Sequence, residues 1–256
     1  MAGVLILSSF VAASAVGGGA QSAALAALEI EAILVPTVLF GRHPGLGPPG
    51  GGTVAIEIFE GMLEGVAATG AFADLEAVIT GYFADPAQVA AAARTIDAVR
   101  AANPNVLIVV DPIMGDDGKG LYVKGPVAAA IAAELVSRAD LITPNAWELG
   151  RLTGRVVAGP GDALAAARDL GRAVLVSSVP VGRSIGVLWA DEREAWLACH
   201  IRAPFAPNGT GDLLTCLFAA ALLGGAAPAD ALETAVSDVA SQVLRGGADI
   251  SLEAFR

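Results

Sequence analysis

The chain has 256 residues, 55% of them hydrophobic, and a net charge of −11. That length suits one large α/β domain with a full core. The acidic balance leaves Lys119 and Lys124 as the only lysines. No basic tract displaces counterions from nucleic acid, so that partner is excluded. Mean hydropathy is high at +0.64. The apolar run Leu213 to Leu223 is still shorter than the ~20 residues of a membrane span. A membrane partner is therefore excluded, and buried parallel strands with Ala-faced helices account for the value.

In chain order, Val4 to Ser9 reads as a buried strand. No Lys or Arg precedes Arg42, which argues against a cleaved signal peptide. A Gly-rich turn, Gly17-Gly18-Gly19, leads into a helix through Leu28. Ala32 to Phe40 is a second strand. Gly41 to Thr53, rich in Gly and Pro, reads as a mobile loop holding His43. A helix follows from Val54 to about Ala68, then a short strand Ala77 to Thr80 and a helix from Pro86 to Ala102. Val106 to Val110 is a strand ending in Asp111-Pro112. Pro126 to Ser137 is helical, Leu141 to Thr143 is a strand, and Asn145 caps the next helix. Ala173 to Ser177 is a strand. Ser184 to Ala190 and Ala195 to Ala203 form a hairpin in which Trp189 and Trp196 face each other. Two helices close the chain, the second from Ala229 to Leu244. Trp147 and His200 read as structural. Cys199 and Cys216 make no disulfide framework and read as reduced thiols of a cytoplasmic protein.

This βαβα order predicts an α/β fold: a mostly parallel central sheet, helices on both faces, an antiparallel edge hairpin, and one domain over residues 1–256. Ligands of such sheets bind beyond the carboxyl ends of the strands. Ser9, Thr37, Tyr82, Asp111, Asn145, Ser177 and Ser178 all fall at predicted strand ends. Asp111 and Asp116 place two carboxylates near one of them. Asn145 and Glu148 share a helix face, and serve either as a capping pair or as a Mg²⁺ site held partly through water. At Pro207-Asn208-Gly209-Thr210-Gly211-Asp212 a Gly-rich turn opens a helix. Backbone N–H groups and a helix dipole there suit a phosphate, and Asp212 could take a proton from a hydroxyl. The bland alternative is a turn with an Asp N-cap. There is no Walker A motif.

These motifs resemble the ribokinase-like superfamily and, within it, the pyridoxal kinases, over nearly the whole chain. The most specific segments are Thr143-Pro144-Asn145-Ala146-Trp147-Glu148-Leu149 and Asn208-Gly209-Thr210-Gly211-Asp212. Leu7-Ser8-Ser9, Pro36-Thr37-Val38-Leu39-Phe40, Thr80-Gly81-Tyr82 and Asp111-Pro112-Ile113-Met114-Gly115 select the subfamily. The resemblance implies ATP-dependent phosphorylation of the 5′-hydroxymethyl of pyridoxal, pyridoxine or pyridoxamine. It implies Asp212 as base, with Gly209, Thr210 and Gly211 as the anion hole. Ser9, Thr37 and Tyr82 would lie on the substrate side; apart from the resemblance, His43 of the Gly41–Thr53 loop is either a further substrate contact or a solvated loop residue. Asp111, Asp116, Tyr122, Asn145, Ser177 and Ser178 would lie on the nucleotide side, with Glu148 and Asp111 serving Mg²⁺. A monovalent cation such as K⁺ is a candidate further cofactor. The resemblance also implies a homodimer and a small lid domain that is reduced or absent.

The substrate side departs from the family pattern. The segment after Ser9, Phe10 to Gly17, lacks the usual His and Tyr, Gly18 stands where Asn is common, and the Gly41–Thr53 loop is rich in Gly and Pro where the family's is polar and aromatic. Two alternatives follow: a kinase for hydroxymethylpyrimidine or another small alcohol, whose members often carry Cys at the position of Asp212, or a non-catalytic vitamin-binding protein on the same scaffold.

Overall fold

The structure is a computed structural model that describes residues 3–203 and 205–245. The chain runs β1 (Gly3–Val11), α1 (Gly17–Ala27), β2 (Glu31–Phe40), β3 (Gly51–Thr53), α2 (Ile56–Ala68), β4 (Leu75–Thr80), α3 (Pro86–Ala102) and β5 (Leu107–Val110). A small ribbon, β6 (Gly115–Asp116) and β7 (Gly120–Leu121), precedes α4 (Gly125–Ala130), β8 (Leu141–Ile142), α5 (Ala146–Thr153) and α6 (Pro160–Asp169). Then come β9 (Ala173–Val181), β10 (Ser184–Ala190), β11 (Ala195–Ile201), α7 (Thr210–Leu223) and α8 (Pro228–Arg245).

Nine strands form one sheet in the order β11-β10-β9-β8-β5-β4-β1-β2-β3. The run from β9 to β2 is parallel, and β10, β11 and β3 are antiparallel. Alternation along β1 divides the core. Leu5 and Leu7 pack with Phe59 of α2 and Val89 and Ile96 of α3. Val4 and Ile6 pack with Ala24 of α1, Leu213 of α7 and Ala231 of α8. A third cluster fills the space between α5, α6 and the β9–β10 pair. Small Ala side chains let α1 and α3 lie close to the sheet, which explains the high hydropathy without a membrane. Among the described residues no helix is long and apolar enough to cross one.

The expected architecture of parallel sheet, flanking helices and edge hairpin is present, with Trp189 opposite Trp196. Four local readings need correction. Gly17, Gly18 and Gly19 form the first turn of α1 itself, not a turn before it. The Gly41–Thr53 segment contains a short 3₁₀ turn, Pro44–Leu46, and its far end folds back as β3 against Val38 to Phe40. The helix read over 126–137 changes form after Ala130, continuing as a π turn, Ile131–Leu135, and a 3₁₀ turn, Val136–Arg138. Helix α6 was not anticipated, although Pro160 supplies its first turn and the Asp162 side chain accepts from Ala158 N at 3.1 Å.

Strand order reverses at β1: the chain first moves outward to β2 and β3, then returns to place β4 on the other side. The carboxyl ends of β1 and β4 therefore diverge into a crevice, the usual ligand position of an open α/β sheet. Gln88 braces one wall. Its fully buried Nε2 donates to Thr37 O at 2.8 Å and Val54 O at 2.9 Å, and its Oε1 accepts from Ala84 N at 3.2 Å.

Candidate active site

Helix α7 starts at the rim of this crevice. Its N-cap, Gly209, has φ +88°, and a Cβ there would meet Ala15 O at 2.4 Å, so only glycine fits. Gly211 faces open space. The first backbone bond of the helix is Leu213 N to Gly209 O, 2.9 Å, and no side chain caps it. The N–H groups of Thr210, Gly211 and Asp212 thus precede the intrahelical ladder, at the positive end of the helix dipole.

The Asp212 carboxyl is positioned by one contact. Its Oδ2 accepts from Gly17 N at 2.9 Å, whereas Oδ1 is buried with no hydrogen-bond partner. Burial raises its pKa from 3.8 to about 6, against the lowering effect of the Gly17 N–H. The carboxylate is therefore ionised at neutral pH and basic enough to accept a proton. Gly17 holds its own place only as glycine: φ is +57°, and a Cβ would lie 2.1 Å from Ser9 Oγ. Sequence reasoning did not assign Gly17, though the glycine run marked it. Nor did it assign Gln21, fully buried on α1, whose Nε2 donates to Asp212 O at 3.4 Å while its Oε1 has no partner.

Glu148 and Asn145 form a capping box, as one of the two sequence readings held. Glu148 N donates to Asn145 Oδ1 and Asn145 N donates to Glu148 Oε2, both at 2.9 Å. The box extends further. Glu148 Oε1 also accepts from Met114 N at 2.8 Å and Gly115 N at 3.2 Å, and Asn145 Nδ2 donates to Gly115 O at 2.8 Å. The pair thus binds the segment carrying Asp116 to the start of α5. Burial raises the Glu148 pKa to about 7, although three backbone N–H groups lower it.

Asp111 is buried, and its Oδ2 lies 3.2 Å from Thr215 Oγ1. Its pKa stands well above the carboxylate range, first through burial and then through the charges of Glu148 and Asp212. Asp111, Glu148 and Asp212 thus share one electrostatic field, and among the described residues no Lys or Arg is ion-paired with them. The Tyr122 ring is partly exposed, but burial of its phenol end and the fields of Glu148, Asp111, Asp116 and Asp212 raise its pKa. Asp116 Oδ1 accepts from Asp117 N at 2.8 Å.

Ser177 and Ser178 form a bulge in β9, where the pairing with β10 shifts register between Gly186 and Leu188. Ser178 is exposed with φ +60°, and Ser177 N donates to Pro144 O at 3.0 Å beside the Asn145 cap. These serines therefore adjoin the Thr143–Glu148 segment.

On the substrate side, Ser9 lies against Gly17 at the end of β1. Thr37 is not where the resemblance implied. It is fully buried and donates to Tyr82 O at 2.6 Å, so its hydroxyl fixes the β4–α3 turn and offers no surface to a ligand. Ser8 does similar work, accepting from Tyr82 N at 3.3 Å. Tyr82 itself is partly exposed. His43 uses Nδ1 to accept from Gly45 N at 3.1 Å and caps the 3₁₀ turn Pro44–Leu46, which leaves only Nε2 for another partner.

An uncapped helix N-terminus and a buried acid, set over the switch point of a doubly wound sheet, define a ribokinase-like protein. A family model described as phosphomethylpyrimidine kinase matches residues 60–250. The pyridoxine/pyridoxal/pyridoxamine kinase of Bordetella avium is 39% identical over 227 residues, covering 85% of this chain and 76% of that protein. A pyridoxal kinase of Rubrobacter xylanophilus is 35% identical over 258 residues, covering 96% and 89%. The crystal structure of pyridoxal kinase from Entamoeba histolytica superposes with a TM-score of 0.93 at 28% identity, over 99% of this chain and 93% of that one. The chain belongs to the pyridoxal kinase family.

Proposed function

We propose that the chain transfers the γ-phosphoryl group of ATP to the 5′-hydroxymethyl of pyridoxal, pyridoxine or pyridoxamine, in vitamin B6 salvage. The observation carrying this reading is the Asp212 carboxyl: one oxygen held by Gly17 N–H, the other buried and unpartnered, at a helix N-terminus that no side chain caps. Asp212 Oδ1 takes the hydroxyl proton as the substrate oxygen attacks the γ-phosphorus, help worth ~10²–10⁴ in rate. The N–H groups of Thr210, Gly211 and Asp212 face the charge on the transferring group. Ser9 and Tyr82 adjoin the substrate, and Asp116, Tyr122, Ser177 and Ser178 the nucleotide.

The donor set fits Mg²⁺. Burial raises the pKa of both Asp111 and Glu148, and a cation beside them would favour their ionised forms. Both Glu148 oxygens already accept backbone N–H groups, so Glu148 would serve the ion through water, and Asp111, with only Oδ2 engaged, would be the nearer carboxylate. Mg²⁺ supplies charge neutralisation at the phosphates. A homodimer in the cytoplasm completes the proposal. The free thiols Cys199 and Cys216 are consistent with that compartment.

The matched family model favours a second reading, a hydroxymethylpyrimidine kinase. Against it, the position that often carries Cys in such enzymes is Asp212 here. Cys216 does not substitute: it is buried, donates to Gln21 O at 3.5 Å, and its thiol pKa is pushed up to about 12, mainly by burial. A coupled assay of ADP release tests this, with the three B6 vitamers and hydroxymethylpyrimidine, each with and without K⁺. The expected result is a kcat/KM for at least one vitamer more than tenfold above the pyrimidine. The reverse order establishes the second reading, and vitamer binding without transfer under any condition establishes a non-catalytic binder.

A further inference from the structure

We infer that Thr215 is a positioning residue that fixes the Asp111 carboxylate for a metal-bound nucleotide and ties it to the helix carrying Asp212; this rests on the kinase reading above. Thr215 lies one turn beyond Asp212 on α7 and is buried. Its Oγ1 is 3.2 Å from Asp111 Oδ2 and 2.9 Å from Thr143 Oγ1. Buried or half-buried threonines elsewhere in these helices satisfy their hydroxyls on their own helix. Thr95 donates to Ala91 O at 3.0 Å and Thr153 to Leu149 O at 2.8 Å. Thr215 turns instead to two tertiary partners, just past the ends of β5 and β8.

A hydroxyl carries one hydrogen, so Thr215 cannot donate to both partners. In its ionised form, the form that would meet a divalent ion, Asp111 has none to give and takes the Thr215 hydrogen; Thr143 then donates its own to Thr215 Oγ1. The chain Thr143–Thr215–Asp111 therefore has one sense, and it ends by engaging Oδ2. Asp111 Oδ1 receives no hydrogen bond among the described residues, and it is the oxygen left for the ion or its water. A short side chain on α7 thus sets which face of Asp111 is presented, and it does so from the helix whose first turn holds the base and the anion hole.

The test is calorimetric titration of MgADP, and of ADP without metal, into the wild-type protein, Thr215→Val and Thr215→Ser, alongside steady-state kinetics. Val keeps the shape and removes the hydroxyl. MgADP binding should weaken at least tenfold in Thr215→Val, metal-free ADP should change less than twofold, and KM for MgATP should rise more than kcat falls. Ser should restore MgADP binding to within threefold of wild type. Unchanged MgADP binding in Thr215→Val overturns the inference, as does equal weakening with and without metal. If Val does not fold, Thr215→Ala removes the same hydroxyl without the second methyl and is read in the same way. Absence of MgADP binding in the wild-type protein removes the kinase reading itself, and the inference with it.

Discussion

Replacing Asp212 by Asn should make the protein more stable and nearly inactive. Burial holds the Asp212 pKa at about 6, against an ordinary 3.8. A shift of roughly two units costs the ionised folded state about 3 kcal/mol at 1.36 kcal/mol per unit. The residue keeps some exposure, so a realistic gain on removing the charge is about 1–2 kcal/mol, or about 3–6 °C in Tm for a chain of this size. The sign with pH is fixed. The carboxyl is harder to ionise when folded, so the penalty is complete above pH ~6, shrinks as pH falls from 6 towards 3.8, and is absent below. The gain should therefore be largest near pH 8 and fall to about half at pH 5. Thermal unfolding of both proteins at the two pH values measures it. In parallel, turnover should fall ~10²–10⁴-fold, and the wild-type acid limb, a tenfold loss per unit below about pH 6, should vanish in the variant. An Asn variant no more stable at pH 8, or with the same gain at both pH values, would refute the claim that a buried, poorly solvated charge sits there. Near-normal turnover would remove Asp212 as the base.

Two further substitutions probe the groups around it. Gly17→Ala forces a Cβ to within 2.1 Å of Ser9 Oγ at φ +57°. It should destabilise by at least ~1–2 kcal/mol, pull the N–H away from Asp212, and move the acid limb of kcat/KM to higher pH; an unmoved limb would show that this N–H does not set the base. Ser178→Gly relieves a non-glycine residue at φ +60° and should raise stability by ~0.5–1 kcal/mol. KM for ATP should rise as well, because a hydroxyl proposed to face the phosphates is lost; a variant stabilised with unchanged KM would remove Ser178 from the nucleotide side.

The long elements were legible because their signals are local. Pro86 after the Asp85 cap starts α3, and the Asn145–Glu148 pair starts α5. Alternating apolar runs located the strands. What escaped depends on contacts distant in sequence. Gly17 and Asp212 are 195 residues apart, and Thr215 and Asp111 are 104 apart; no window of the sequence relates them. Thr37 was read as a ligand contact from its place late in a strand and from the resemblance, but it is fully buried and its hydroxyl donates to Tyr82 O, so the bond that satisfies it is made within the protein. The Gly41–Thr53 loop was read as irregular because Gly and Pro have no period. Its last residues nevertheless pair with β2, as positive φ at Gly50 and Gly51 turns the chain back.

The charge pattern carries a final consequence for the proposed reaction. A protein handling triphosphates usually surrounds them with Lys or Arg, yet this chain has two lysines and a net charge of −11. The buried groups near the crevice are acids: Asp111, Glu148 and Asp212, each with a raised pKa. Bare nucleotide would find no side-chain cation paired with these acids among the described residues. Nucleotide carrying its divalent ion would not, since the ion compensates the acids on one side and the phosphates on the other. The peptide N–H groups of the α7 start then supply the remaining positive field, without a mobile side chain and without a proton that can be lost. Preference for metal-bound over free nucleotide would, on this view, come from the acidic cluster, in which no basic residue is ion-paired with any of the three acids among the described residues.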